Sequence, residues 1–307
     1  MMDSGELAAR VSAGEARAVA RLISWVEDGA PGLPEALAAL PPGAPAYVIG
    51  LTGSPGVGKS TVTSALVAAY RARGQRVGVL AIDPSSPFTG GALLGDRIRM
   101  QEHATDPGVF IRSMASRGHL GGMAAATPQA VRVLEAAGCA VVLVETVGVG
   151  QSEVDVAATA DATVVLLAPG MGDGVQAAKA GILEIADIVC VNKADREGAE
   201  ATAREMRQML RLGAPSDGWM PPVVTSSAAR GEIDDLLGAL DDRRAWLDEG
   251  EHWLQRRRQR AAAEILALAG GRARILLVER LSPEVIDAVA EGRLSSFAAA
   301  DGLLAER

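Results

Sequence analysis

A complete phosphate-binding loop between a strand and a helix constrains the fold of this chain more than any other feature. Residues 53–60 read GSPGVGKS, which matches the pattern G-x-x-x-x-G-K-S. An apolar run at 47–51 precedes the loop, and a helical pattern at 60–73 follows it. Backbone N–H groups and a helix N-terminus bind phosphate only in this order of strand, loop and helix, so the chain is predicted to be an α/β nucleotide-binding protein.

Each residue type in the loop contributes to that prediction. Glycines let N–H groups turn toward phosphate oxygens, Lys59 adds a full positive charge, and Ser60 offers a hydroxyl to Mg²⁺. The nucleotide-binding residues predicted from the loop are Gly53, Ser54, Pro55, Gly56, Val57, Gly58, Lys59, Ser60 and Thr61.

The apolar runs of the chain predict a sheet that is buried on both faces. They contain Val, Ile, Leu and Ala with little alternation, as expected for parallel strands covered by helices. The predicted strands are 46–52, 76–82, 109–112, 140–146, 162–168, 187–192 and 222–226. The predicted intervening helices are 60–73, 127–138, 174–186 and 198–212. This alternation favours an α/β fold with a doubly wound, mostly parallel sheet.

Four residues after one of these strands indicate which base is bound. Asn192, Lys193 and Asp195 form the pattern N-K-x-D. An aspartate carboxylate accepts hydrogen bonds from guanine N1–H and the N2 amine, whereas adenine would leave it unpaired. The Lys193 stem can cover the base, and Ser227 with Ala228 fits a weaker base-side loop. The predicted ligands are therefore GTP and GDP.

Acidic residues near predicted strand ends indicate a metal site. Glu145 ends a buried strand, where a carboxylate is costly unless it serves a metal or another partner, and Gly148 behind it is predicted to sense the γ-phosphate. Asp83 closes another strand, and Asp96 lies in a glycine-rich stretch. A turn-capping role for Asp83 and a solvated position for Asp96 stay open. The predicted Mg²⁺ ligands are Ser60, Asp83, Asp96 and Glu145, and the predicted catalytic residues are Lys59, Asp83, Asp96 and Glu145.

The ends of the chain differ from its centre. Apolar residues at 6–27 recur with helical spacing, and 232–268 reads as a charged amphipathic helix that is rich in arginine from Arg256 to Arg260. We therefore predict three parts: an N-terminal helical extension at 1–45, a P-loop GTPase domain at 46–231, and a C-terminal helical extension for packing or dimerisation at 232–307.

Composition narrows the class of protein. The chain has 307 residues, 49% of them hydrophobic and 22% charged, and its net charge of −8 argues against a broad nucleic-acid-binding surface. No apolar run approaches the roughly 18 residues of a membrane span. We expect a cytoplasmic protein without nucleic-acid or membrane partners. Cys139 and Cys190 adjoin or lie in predicted strands, which favours core positions over a disulfide or a metal site.

Seven segments together resemble the MeaB/ArgK family of P-loop GTPases of the SIMIBI class. They are GSPGVGKST (53–61), AIDPSSP (81–87), GGALLGDRIRM (90–100), RGHLGGM (117–123), ETVGVGQSE (145–153), PGMGDGVQAAKAGI (169–182) and NKAD (192–195). The resemblance implies a homodimeric G-protein chaperone of an adenosylcobalamin-dependent acyl-CoA mutase, such as methylmalonyl-CoA mutase. It also implies slow intrinsic GTP hydrolysis that the partner accelerates, with 145–153 as switch II and 169–182 as the loop that signals to the mutase.

The sequence disfavours two other functions and leaves a third open. A metal-delivery GTPase for a nickel enzyme needs Cys and His ligands, and two cysteines with three scattered histidines argue against it. A kinase or ATPase linked to amino-acid transport is disfavoured by the N-K-x-D pattern. A GTP-dependent scaffold with negligible hydrolysis stays open, as does the identity of the mutase.

Overall fold

The computed structural model describes residues 3–84, 100–103, 105–116, 122–146, 152–170, 182–211 and 218–305, a few of them by their backbone alone. Seven strands form one sheet: β1 Tyr47–Thr52, β2 Val77–Pro84, β3 Val109–Ser116, β4 Val141–Thr146, β5 Ala162–Leu167, β6 Ile188–Val191 and β7 Val223–Thr225. All neighbouring strands in the order β3-β2-β4-β1-β5-β6-β7 are parallel. The predicted doubly wound sheet is confirmed, and β3 continues to residue 116 rather than ending at 112.

Helices cover both faces of the sheet, and further helices follow in the C-terminal part of the chain. They are α1 Ser4–Ser12, α2 Ala16–Asp28, α3 Leu33–Ala38, α4 Lys59–Ala72, α5 Gly122–Ala136, α6 Ser152–Thr159, α7 Ala199–Leu210, α8 Asp234–Asp248, α9 His252–Arg280, α10 Pro283–Ala290 and α11 Ser296–Ala305. Side chains alternate along β1, so Val48 belongs to the core with α1, α2 and α5, whereas Ile49 belongs to the core with α4 and α8. Both residues are fully buried, which explains why the strand reads as a continuous apolar run.

The order of the strands places the phosphate-binding loop at the carboxyl edge of the sheet. β1 lies between β4 and β5, so the chain winds from β1 toward one side of the sheet first and toward the other side afterwards. In doubly wound sheets, ligands bind in the crevice beyond the carboxyl end of such a strand. β1 ends at Thr52, directly before the phosphate-binding loop.

The helical extensions differ in detail from the prediction. The helix predicted at 6–27 is two helices, α1 and α2, because Gly14 between them adopts φ +74° and a Cβ there would lie 2.7 Å from Arg76 Nη1. The helix predicted at 232–268 is also two, α8 and α9, and α9 continues to Arg280. Of the helix predicted at 174–186, only 182–186 is described, and Ile182–Ile185 form a 3-10 turn. The division of the chain at residues 45 and 231 stays a prediction.

Two further features bear on the predictions from composition. Cys139 and Cys190 are both buried and free. Among the described residues, no helix combines the length and the apolar character that a membrane crossing requires.

Candidate nucleotide-binding site

The loop between β1 and α4 depends on glycines at its turns. Gly53, Gly56 and Gly58 have φ values of +142°, +84° and +97°, a region that side chains rarely adopt. A Cβ on Gly53 would collide with the carbonyl oxygen of Leu166, and one on Gly58 would lie 2.5 Å from Asn192 Nδ2. The loop therefore forms a narrow cradle of backbone at the N-terminus of α4, where N–H groups and the helix dipole favour an anion.

Lys59 brings its charge into that cradle. Its side chain is only 7% exposed. Nζ donates to the carbonyl oxygens of Gly53 at 2.8 Å and Ser54 at 3.2 Å. The ammonium is thus held inside the loop, close to where the sequence predicted phosphate binding.

Glu145 and Ser60, two of the predicted Mg²⁺ ligands, lie in direct contact. Glu145 is 3% exposed and lies in β4, paired in register with Leu51 of the neighbouring strand β1. The hydroxyl of Ser60 donates to Glu145 Oε1 at 2.7 Å. Carboxylate and hydroxyl oxygens are ligands suited to Mg²⁺, and this buried pair stands at the mouth of the phosphate cradle.

Thr63 is a residue of this site that sequence reasoning missed. Its hydroxyl donates to Glu145 Oε2 at 2.8 Å. The available signal was its spacing from Ser60, because residues three apart lie on the same face of a helix.

The roles of Asp83 and Asp96, the other two acidic residues, stay predictions. The backbone of Asp83 lies in β2, opposite Ala115 and one position beyond the register pair Ile82 and Thr146. It therefore reaches the same edge of the sheet as Glu145, but its side chain is not described. Asp96 and Gly148 lie outside the described residues, so their assignment stays a prediction.

Asn192 connects the predicted base-binding segment to the phosphate cradle. It follows β6 and is 2% exposed. Nδ2 donates to the carbonyl oxygen of Val57 at 2.9 Å. Oδ1 accepts from Ser226 Oγ at 3.1 Å and from the N–H of Ala228 at 3.2 Å. One buried amide thus fixes three segments relative to one another.

Lys193 and Asp195 lie at the more open side of the site. Among the described residues, Lys193 is the one non-glycine position with a positive φ, which is +59°. Its Nζ donates to the carbonyl oxygen of Gly56 at 2.5 Å. Asp195 Oδ2 lies 3.4 Å from Arg230 Nη2, and its side chain is 31% exposed. The Asp195 carboxylate is thus partly accessible, and its role in guanine recognition stays a prediction.

Ser227 closes the base-side loop. Its N–H donates to Glu232 O at 2.9 Å, and its carbonyl accepts from Glu232 N at 3.3 Å. The side chain of Ser227 is buried. This bridge keeps the Ala228 N–H directed at Asn192.

Comparisons with known proteins show which family this chain resembles. A family model described as Methylmalonyl Co-A mutase-associated GTPase MeaB matches residues 19–279. A Pyrococcus abyssi protein assigned as a GTPase is 47% identical over 98% of this chain and 96% of its own length. The GTPase ArgK of Escherichia coli is 42% identical over 71% of this chain and 67% of its own. The crystal structure of LAO/AO transport system kinase superposes with a TM-score of 0.74 at 27% identity, over 98% of this chain and 96% of that one.

Proposed function

Because the chain belongs to the MeaB family of GTPases, we propose that it binds GTP and GDP with Mg²⁺ and hydrolyses GTP slowly by itself. In this proposal it acts as a chaperone that gates adenosylcobalamin loading, protection and reactivation of an acyl-CoA mutase. The mutase would accelerate the hydrolysis.

One observation carries the nucleotide part of the proposal. The base-side residues Asn192 and Lys193 donate to the carbonyl oxygens of Val57 and Gly56 in the phosphate loop. A base specificity segment and a phosphate cradle held by direct hydrogen bonds form one site that spans a nucleotide. Asp195 beside them offers the acceptor that favours guanine over adenine.

The residues of the site would divide the chemistry between them. Lys59 and the loop N–H groups stabilise negative charge on the transferred phosphoryl group. Ser60 and Glu145 would hold Mg²⁺, which when bound neutralises phosphate charge. We propose that Asp83 and Asp96 complete the acidic set and that Gly148 contacts the γ-phosphate.

The mutase partnership rests on the family, whose description names methylmalonyl-CoA mutase. The first experiment measures GTP hydrolysis by the purified protein, alone and with an adenosylcobalamin-dependent acyl-CoA mutase from the same organism. Lys59→Ala is the control, because it removes the charge from the cradle. We expect a several-fold stimulation that the variant lacks.

Two other results would distinguish the proposed GTPase activity from the proposed partnership with a mutase. Hydrolysis without stimulation would leave a GTPase and remove the tested mutase as its partner. Nucleotide binding with no single-turnover hydrolysis, with and without the mutase, would favour a GTP-dependent scaffold instead.

We further propose that the C-terminal helices form a homodimer contact. Several large apolar side chains on α9 and α11 are exposed, among them Ile265 at 65%, Leu266 at 71% and Phe297 at 87%. Exposed apolar patches of this kind mark association surfaces. Light scattering after gel filtration should give twice the 31.6 kDa chain mass.

The dimer contact is tested by Phe297→Asp, with Met220→Asp as its control. Met220 is also exposed, at 52%, but lies outside these helices. We expect the first variant to be monomeric and the second to remain dimeric. A dimeric Phe297→Asp variant would argue against this surface.

A further inference from the structure

We propose that Thr63 is a positioning residue, which holds the Glu145 carboxylate in the orientation needed for the Mg²⁺-dependent part of nucleotide binding. This inference rests on the proposed function. It goes beyond it by giving a role to a residue that the phosphate-loop pattern does not include.

Two hydroxyls on one helix hold both oxygens of one carboxylate. Ser60 donates to Glu145 Oε1 at 2.7 Å, and Thr63 donates to Oε2 at 2.8 Å. Thr63 is fully buried, and Ser60 and Glu145 are 7% and 3% exposed. Because the group is shielded from solvent, water does not readily replace a lost donor.

The single hydrogen of Thr63 goes to the carboxylate. Thr63 Oγ1 also lies 3.0 Å from the carbonyl oxygen of Lys59, one turn earlier in α4. A hydroxyl has one hydrogen, and a bond to an ionised acceptor is roughly twice as strong as one between neutral groups. The shorter contact, to Glu145, is therefore the hydrogen bond that Thr63 makes.

This arrangement also orients Ser60. The Ser60 hydroxyl directs its hydrogen at Glu145 Oε1. Its oxygen can therefore direct a lone pair, and not the hydrogen, at a cation. Loss of the Thr63 hydroxyl would remove the hydrogen bond to Oε2 and weaken the restraint on the orientation of the carboxylate. Ser60 would then lose its fixed acceptor. Thr63 thus acts on the metal site through Glu145 without touching the nucleotide.

The test measures the affinity of the whole protein for fluorescent GDP in EDTA and across a MgCl₂ titration. Thr63→Val keeps the side-chain shape and removes the hydroxyl donor. Thr63→Ala also removes the donor, without putting a methyl group in its place. Thr63→Ser keeps the hydroxyl donor. We expect the Mg²⁺-dependent gain in affinity to fall about tenfold in the Val and Ala variants, the loss expected for a hydrogen bond to a charged group. Affinity in EDTA should stay within about twofold of wild type, and Thr63→Ser should retain the Mg²⁺ response, because its donor is intact.

Thr202→Val is the matched control. Thr202 Oγ1 likewise lies close to the carbonyl oxygen four residues earlier, 3.1 Å from Gly198 O, but it lies on α7 and not on the helix that follows the phosphate loop. It should leave both measurements unchanged. A Val variant with a normal Mg²⁺ response, or an equal loss of affinity in EDTA and in Mg²⁺, would overturn the positioning role. Wild-type protein that binds no GDP would instead remove the proposed function itself.

Discussion

Replacement of Arg260 by Met should destabilise the protein strongly, because it leaves a buried carboxylate without its counterion. Arg260 Nη1 lies 2.6 Å from Asp161 Oδ1, and Asp161 is 0% exposed. Asp161 Oδ2 accepts the N–H of Val48 at 2.9 Å, so one hydrogen bond survives the substitution. Breaking a buried ion pair on one side costs about 3–5 kcal/mol. We expect about 3 kcal/mol, the lower end, because that backbone bond remains.

Urea-induced unfolding at pH 7, followed by circular dichroism, measures this cost. A loss of about 3 kcal/mol shifts the unfolding midpoint by about 1 M if the slope is about 3 kcal/mol per M. Arg258→Met is the matched control, since Arg258 is an exposed arginine on the same helix. Exposed substitutions usually stay within about 0.5 kcal/mol of wild type.

A double variant separates the unpaired charge from lost packing. Asp161→Asn combined with Arg260→Met removes both charges and keeps an acceptor for Val48, so it should recover much of the lost stability. The reasoning is refuted if Arg260→Met lowers the midpoint no more than Arg258→Met does. In that case solvent screens the ion pair of Arg260 and Asp161, and this pair does not stabilise the packing of α9 against the sheet.

Three other predictions follow from single side chains. Asp195→Asn should weaken GDP binding about a hundredfold and favour xanthosine diphosphate (XDP), as measured by competition between the two nucleotides. The base of XDP carries a carbonyl in place of the N2 amine. An unchanged preference for GDP would argue against base recognition by Asp195. Burial raises the pKa of the Glu135 carboxyl above its usual 4.5, so wild-type stability should fall as pH rises through that raised value. Glu135→Gln should then be more stable than wild type at pH 7 in urea unfolding, and the two should converge near pH 4. Burial raises the pKa of both Cys139 and Cys190 thiols to about 12, so Ellman's reagent at pH 8 should label them only after unfolding; rapid labelling of folded protein would contradict this.

The element boundaries show where local patterns were sufficient. The inner strands were predictable because a strand buried on both faces needs a continuous apolar run. The edge strands β3 and β7 are only partly buried, but they too are short apolar segments at the expected positions. Gly14 and Glu15 interrupt the apolar face at 6–27, but the spacing on either side still favoured one helix where the structure has α1 and α2. A glycine with positive φ commonly ends a helix. The Arg76 guanidinium packed beside Gly14 is a contact that no local pattern reports.

Within the candidate site, the same division holds. The phosphate loop and the N-K-x-D segment were readable because each function depends on residues only a few positions apart. The spacing of Thr63 from Ser60 placed it on the same face of the helix, but its partner could not be predicted, because Glu145 is 82 positions away. The carboxylate of Glu145 was noticeable from its position at the end of a buried strand, whereas the hydroxyl that contacts Oε2 was not.

The sequence by itself determined the fold class and predicted the nucleotide-binding loop and the base-binding segment, since these depend on apolar periodicity and short residue patterns. Only the tertiary structure decided the partners of the arginines in α9. From sequence, 256–260 is a run of charge on a helix, yet Arg256 donates to Ala160 O at 3.1 Å and Arg260 pairs with Asp161. The physical reason is that parallel strands bring the start of β5 against a helix almost a hundred residues later, and burial there makes a single ion pair strong.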